Sequence, residues 1–315
     1  MINTFEITEE FIGERLDIFL AKKLENFSRS QIQELIKEGK VKCNTNITTL
    51  PRFAVRENMT VYIETPDAVQ VEALQEEPFN FEILFEDDSI LVINKPVDVV
   101  VHPGAGNQTG TIVNALMGRY PAWKELYAEE NVRPGIVHRL DKDTSGCLVI
   151  AKNPEIQFKL SKIFAERACE KHYLAIVHGV PRKHSGEISN MLGRHPVNRQ
   201  KMAAVERNGK IAISQYKVRQ SGLVDNIALS VVAVKILTGR THQIRVHMSG
   251  LGHPVLGDKL YGGAKGIHVE HQMLHAHTLR FPHPVTGDDM TFYAPIRPDI
   301  QAIIDRFEPL KNLMK

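Results

Sequence analysis

The sequence predicts an α+β protein in two parts, a small helical module followed by a larger sheet domain. Three observations carry that expectation. A helix–helix–strand pattern occupies residues 14–42, and an acidic linker follows at 64–80. Beyond residue 81, strand-like apolar runs mix with helical ones but without the regular βαβ rhythm of a doubly wound fold. At 315 residues the chain is long enough for two domains at ~150 residues each. Its 43% apolar and 24% charged residues are those of an ordinary soluble protein.

In the first part, Leu16, Phe19, Leu20 and Leu24 recur at helical spacing. A break is expected at Asn26. Ser30 with Gln33 three residues later then suggests a capped second helix with Ile32, Leu35 and Ile36 inward. Gly39 offers a left-handed stop, and "KVKCN" reads as a short strand. The polar positions hold Arg15, Lys22, Lys23, Arg29, Lys37, Lys40 and Lys42, on composition alone a solvated charged face. The order is more telling: Arg-Leu-Asp opens the first helix, Ser-Arg-Ser the second, and Glu-Gly-Lys-Val leads into the strand. This segment resembles the S4 RNA-binding domain over residues 11 to 65, or 11–75 with the linker. The resemblance makes those seven cations candidate RNA contacts.

Charge is unevenly distributed. Residues 65–94 hold eight acids and no Lys or Arg, whereas residues 151–220 hold fourteen Lys and Arg against five acids. Such asymmetry can build a surface that attracts a polyanion although the net charge is only +2. Linker residues Glu64 to Asn80 carry two prolines and little periodicity. The second domain is expected over 81–308. "ILVINKP", "CLVIAKN", "YLAIVHG", "IALSVVAVKIL" and "MTFYAP" read as strands, and "PEIQFKLSKIFAERA" as a helix with Ile156, Leu160, Ile163 and Phe164 inward.

Several classes find little support. No apolar run approaches the ~18 residues of a membrane span, and the acidic start of the chain does not read as a secretory signal. Three scattered cysteines argue against a disulfide framework and for a reducing, cytoplasmic setting. There is no phosphate-binding GxxxxGK[ST] loop, dinucleotide fingerprint or GxSxG elbow. Eight of the fourteen histidines fall between His242 and His283, but their spacing and the lack of nearby acids fit a metal site poorly, so no metal is expected.

Two segments could carry chemistry. In "HRLDKDTSG", Asp141 sits between "GIVHR" and "CLVIAKN", which reads as strand, turn, strand. A carboxylate fixed on such a turn beside Arg139 and Lys142 could serve as nucleophile, general base or metal ligand, or only shape the hairpin. In "TGRTHQIRVHMSGLGHPVLGD", a Gly-Arg turn leads into a short helix whose Arg240, His242 and Arg245 seek anions.

Together "GIVHRLDKDTSGCLVIAK", "KHYLAIVHG" and "TGRTHQIRVHMSGLGHPVLGD" resemble the RluA family of pseudouridine synthases, and the S4-like start resembles its large-subunit ribosomal RNA branch. The resemblance implies a mixed, largely antiparallel sheet with flanking helices. It also implies a cofactor-free conversion of RNA uridine to pseudouridine. Asp141 would be either the nucleophile at C1′ or a carboxylate assisting a glycal intermediate. Tyr173 would stack on the uracil and help remove the C5 proton, and Arg245 would pair with Asp141. Arg139 would fill the space of the everted nucleotide, with Arg240, Lys171 and His242 as further substrate contacts. The implied partner is ribosomal RNA, free or in an assembling subunit, with the chain acting as a monomer. Two readings stand against this one. A non-catalytic ribosome-associated RNA-binding protein is disfavoured by the intact Asp141, Tyr173 and Arg245. A metal-dependent hydrolase on the histidine-rich part predicts sensitivity to chelators.

Overall fold

In the computed structural model, residues 2–24, 27, 29–65, 76–104, 107–127, 133–198 and 200–310 are described. The break expected at Asn26 and most of the expected linker lie outside them. The chain divides into two units.

The first unit has strands β1 (Ile2–Glu6), β2 (Val41–Cys43), β3 (Asn46–Ile47) and β4 (Thr60–Glu64), and helices α1 (Leu16–Lys23) and α2 (Arg29–Lys37). The strands form an antiparallel sheet in the order β1-β4-β2-β3. The two helical stripes meet it as their spacing predicts. Leu16, Phe19 and Leu20 of α1, Ile32 and Ile36 of α2, and Val41, Val61 and Ile63 of the strands share one core with no exposed surface. Gly39, at φ +75°, ends α2. One expectation fails here: α2 starts at Arg29, so Ser30 lies inside the helix, and the Gln33 amide donates to Asp17 Oδ2 (2.5 Å).

The second unit is built on a ten-stranded sheet. Its strands are β5 (Glu82–Glu86), β6 (Ile90–Lys95), β7 (Ser145–Ala151), β8 (Glu170–His178), β9 (Ser185–Arg194), β10 (Met202–Ala204), β11 (Lys210–Val224), β12 (Ile227–Ile236), β13 (Leu274–Pro282) and β14 (Asp289–Tyr293). Its helices are α3 (Ile112–Arg119), α4 (Trp123–Leu126), α5 (Pro154–Ala165), α6 (Gln243–Gly250) and α7 (Pro298–Asp305). The strand order is β10-β9-β11-β12-β8-β13-β7-β6-β5, with β14 on the later half of β13. Among the described strand-to-strand ladders only β13 with β7 is parallel.

Both faces of this sheet are covered. In β8, Ala175 and Val177 pack with Ile244 and Met248 of α6, while Ile176 packs with Ile300 and Ile303 of α7. Alternation along a strand sends these neighbours to opposite faces. Helix α5 buries Ile156 and Leu160 against Val149 of β7 and Phe281 of β13. Every residue of β7 is buried, which explains why "CLVIAKN" reads as one apolar run. The strand expected at "GIVHR" does not form; a single bridge joins Ile136 to Ile150. His138 supplies the physical reason. Its Nε2 accepts the Val149 N–H (3.1 Å) that a ladder partner would otherwise take.

Candidate active site

The segment bearing Asp141 enters β7 where that strand and β14 part company along β13. Its backbone is fixed at several points. Thr144 N–H donates to Asp141 O (3.1 Å), and Gln272 Nε2 donates to Thr144 Oγ1 (2.8 Å). The buried Lys95 ammonium donates to the carbonyls of Pro96 (2.7 Å), Val99 (2.7 Å) and Lys142 (3.0 Å), so all three of its donors meet acceptors. Gly146, at φ +113°, lies so close to β13 that a Cβ there would sit 2.2 Å from the Ala276 carbonyl oxygen. On the other side of Asp141, His138 stacks on Phe164 with ring centres 4.8 Å apart. Burial, with the Lys171 charge adding to it, pushes its pKa down to about 3, so the ring is neutral and an Nε2 acceptor.

Helix α6 brings the second group of residues. Gln243 ties its first turn to the sheet: Oε1 accepts from Thr238 Oγ1 (2.8 Å) and Arg240 N–H (3.0 Å), while Nε2 donates to Ile213 O (2.9 Å) and Ser214 Oγ (2.9 Å). Two residues on, Arg245 reaches back with its guanidinium between two carboxylates. Nη1 donates to Asp141 Oδ2 (3.0 Å), and Nε and Nη2 grip Asp258 at 2.7 and 3.0 Å. Burial opposes the Arg245 charge, but the Asp258 bonds and the two negative charges outweigh it, and its pKa is raised. Asp258, fully buried, also accepts the Leu260 and Tyr261 N–H groups at 3.0 and 3.1 Å.

All seven residues expected at the catalytic site or in substrate contact line one cavity of about 510 Å³: Arg139, Asp141, Lys171, Tyr173, Arg240, His242 and Arg245. Its apolar wall includes Ile236, Ile244 and Leu274. That size is within the range of small-ligand sites, and an apolar wall with convergent polar groups is their usual lining. Tyr173, on β8, packs against the core beneath α6. Burial and the Asp141 charge push its hydroxyl pKa well up, so it is a neutral phenol at working pH. Arg139 is exposed at the rim, and Arg240 donates through Nε to Ile211 O (3.0 Å). A second cavity of about 560 Å³ shares Arg139, Asp141, His242 and Arg245 and adds Lys142, Lys259 and Glu270.

The sequence reading missed four residues here: His138, Gln243 and Asp258 lie inside quoted motifs but have no side-chain partner in view there, and Tyr261 lies three residues beyond the last motif. His102 was also missed; it lines both cavities, and burial and the Arg133 and Arg139 charges lower its pKa to about 4. Among the described residues no group of three or more His, Cys, Asp or Glu is arranged to hold a metal ion. No helix among them is long and apolar enough to cross a membrane.

In the first unit, the candidate RNA-contacting cations divide. Arg15 and Arg29 both donate to the buried Asp17 carboxylate, at 2.9 and 3.0 Å. Burial alone would raise the Asp17 pKa, but the bonds from Arg15, Gln33 and Arg29 lower it. Lys22 pairs with Glu14 (2.7 Å) and Lys40 with Glu64 (3.3 Å), while Lys23 lies over the Phe11 ring. Lys37 and Lys42 stand exposed.

Comparison with known proteins bears on both units. Residues 89–250 match the family model described as RNA pseudouridylate synthase, and residues 14–61 match that of the S4 domain. Ribosomal large subunit pseudouridine synthase D of Vibrio parahaemolyticus is 39% identical, over 97% of this chain and 94% of its own length. An uncharacterized RNA pseudouridine synthase of Bacillus subtilis is 39% identical over 96% and 98%. Among solved structures, human RNA pseudouridylate synthase domain containing 1 aligns with a TM-score of 0.58 at 30% identity, covering 76% of this chain and 90% of that one. The α+β fold expected from the motifs is the fold of these proteins.

Proposed function

The chain belongs to the RNA pseudouridylate synthase family, and from that premise we propose that it isomerises particular uridines of large-subunit ribosomal RNA through Asp141. The carrying observation is the Asp141 carboxylate, half-buried in the cavity wall with one oxygen bound by Arg245. In the reaction the N1–C1′ bond breaks, the uracil turns while held, and a C5–C1′ bond forms. The C5 proton is lost to solvent and N1 gains one. The leaving of the base builds positive charge at C1′, which a carboxylate fixed beside the sugar stabilises or captures.

Residue roles follow from position. Arg245 aims Asp141 by engaging Oδ2. The Tyr173 ring supplies a stacking surface, and as a neutral phenol it relays the C5 proton by hydrogen bonding. Arg139 at the rim fills the gap that an everted nucleotide leaves in the RNA, where unstacking costs a few kcal/mol. Arg240, Lys171 and His242 hold the phosphate and ribose. The exposed cations of the S4 unit, with the basic strands after residue 151, contact the RNA backbone and offset that cost. The enzyme works in the cytoplasm as a monomer, on free RNA or an assembling subunit, without metal or cofactor.

The test is tritium release from ribosomal RNA labelled at uracil C5. Wild-type protein should release tritium and Asp141→Asn should not, while both bind the RNA equally. Equal release from both would remove Asp141 from the chemistry.

A further inference from the structure

Tyr261 lies three residues beyond Asp258, and the reaction just described gives it no task. Four contacts converge on it. The Met202 amide, on β10, donates to its hydroxyl oxygen at 2.7 Å. That oxygen lies 2.9 Å from His242 Nδ1. The ring lies 5.1 Å from the Arg245 guanidinium carbon, and its own backbone N–H donates to Asp258.

The first of these bonds has a fixed direction. A backbone amide can only donate, so Tyr261 Oη accepts from Met202. The hydroxyl hydrogen then needs an acceptor, and His242 Nδ1 is within reach for it. With that hydrogen donated to Nδ1, the proton of the neutral imidazole sits on Nε2. Nε2 faces Asp141 Oδ2 across 3.9 Å, in a setting where both side chains are less than one-fifth exposed. The charges facing this ring are Asp141, Arg245, Asp258 and Arg139; burial outweighs the carboxylates among them, and the His242 pKa is lowered. The backbone of His242 adds an independent sign of constraint. Its φ of 56° and ψ of 18° are left-handed, a region a non-glycine residue occupies when its surroundings hold it there.

We propose that Tyr261 is a positioning residue that holds His242 as the Nε2–H tautomer, presenting a fixed, uncharged donor to Asp141 and the nucleotide beside it. The part concerning the nucleotide rests on the proposed role of Asp141; the tautomer does not. Arg245 Nη1 bonds Oδ2 at 3.0 Å, and His242 Nε2–H faces the same oxygen across 3.9 Å, a gap that a group of the nucleotide can enter. The hydroxyl also ties this arrangement to β10, at the end of the turn that carries the cationic Lys201.

Two measurements test this. In full-length protein labelled with ¹⁵N-histidine, the long-range ¹H–¹⁵N pattern of His242, assigned by its disappearance in His242→Gln, should show an unprotonated Nδ1 and a protonated Nε2 at neutral pH. Tyr261→Phe, which keeps the ring over Arg245, should convert that pattern to a mixture of tautomers. A wild-type pattern with Nδ1 protonated overturns the proposal, whatever the protein does to RNA. In single-turnover tritium release, Tyr261→Phe should slow the reaction about tenfold, the worth of one ordinary hydrogen bond, with unchanged RNA affinity. In a His242→Gln background the same change should make no further difference. An equal loss in both backgrounds would mean the hydroxyl acts elsewhere and would overturn the proposal. A wild-type protein that isomerises no uridine would instead remove the proposed function, with the spectrum still deciding the tautomer.

Discussion

Replacing Asp258 by asparagine removes one negative charge and keeps the shape of the side chain. Its carboxylate accepts four hydrogen bonds, two from Arg245 and one each from the Leu260 and Tyr261 amides. An asparagine can keep its oxygen where Oδ1 stands, preserving three of them. Its amide nitrogen must then point at Arg245 Nε, donor against donor at 2.7 Å. One charge-assisted bond is lost, worth about 1.5–3 kcal/mol, and a buried guanidinium is left with less compensation. Breaking a buried pair outright costs about 3–5 kcal/mol, so about 3 kcal/mol is expected for this partial break. With m near 3 kcal/mol/M for a unit of this size, the urea midpoint should fall by about 1 M. The readout is convenient, because Trp123, the single tryptophan of the chain, is buried in the same unit. Arg245 would also swing toward Asp141, its remaining carboxylate, and misaim it; a displacement of ~1 Å can cost ~100-fold in rate. The single-turnover rate should therefore fall about that far while RNA affinity holds. An unchanged midpoint together with an unchanged rate would refute the claim that Asp258 holds Arg245 in place.

Gly146→Ala should destabilise the same unit by about 3 kcal/mol or more, because the new Cβ meets the β13 backbone and the residue is left-handed; urea unfolding at Trp123 checks it. Lys95 predicts a pH dependence. Burial pushes its ammonium down to about 7, against 10.5 when free. Between those values the unfolded chain binds more protons, so stability should rise with pH by up to about 1.4 kcal/mol per unit. Lys95→Met should lack that rise, which is read as the difference between the two proteins' urea midpoints from pH 7 to 10. Deleting residues 1–70 should weaken RNA binding and flatten its salt dependence by ~0.7–0.9 log units per lost phosphate contact, leaving Trp123 emission native. An unchanged affinity and slope in a salt titration would remove the S4 unit from RNA binding.

What the sequence made legible were features with a local signal. The stripes of α1 and α2, the apolar run of β7 and the α5 stripe each write their burial into spacing of a few residues. Asp141, Tyr173 and Arg245 came from motif resemblance, and their convergence on one cavity joins residues more than a hundred positions apart. Helix α3 carries a less familiar signal: Thr111 and Asn114 form a reciprocal capping box in which asparagine replaces the usual Glu or Gln. The "GIVHR" strand was misread because periodicity cannot show that a histidine ring will take the place of a ladder carbonyl. The S4 cations looked uniform in sequence, yet Arg15 and Arg29 turn to Asp17, a neighbour along α1 that only the folded helix pair brings to both.

The residues the sequence left unassigned have a common property that explains both their invisibility and their use. Asp258, Gln243, His138 and Tyr261 each bond to partners from other elements, and none needs to touch a substrate to matter. Asp258 satisfies Arg245, Gln243 pins the turn that starts α6, His138 anchors the approach to Asp141, and Tyr261 joins α6 to β10. Each supplies a fixed partner in place of mobile solvent, which is the arrangement that holds the charged pair Arg245–Asp141 in one geometry. A site held this way should tolerate change at its exposed rim, such as Arg139, far better in folding than at these interior anchors. Rim substitutions should therefore alter the RNA-dependent rate without moving the urea midpoint, and interior ones should move both.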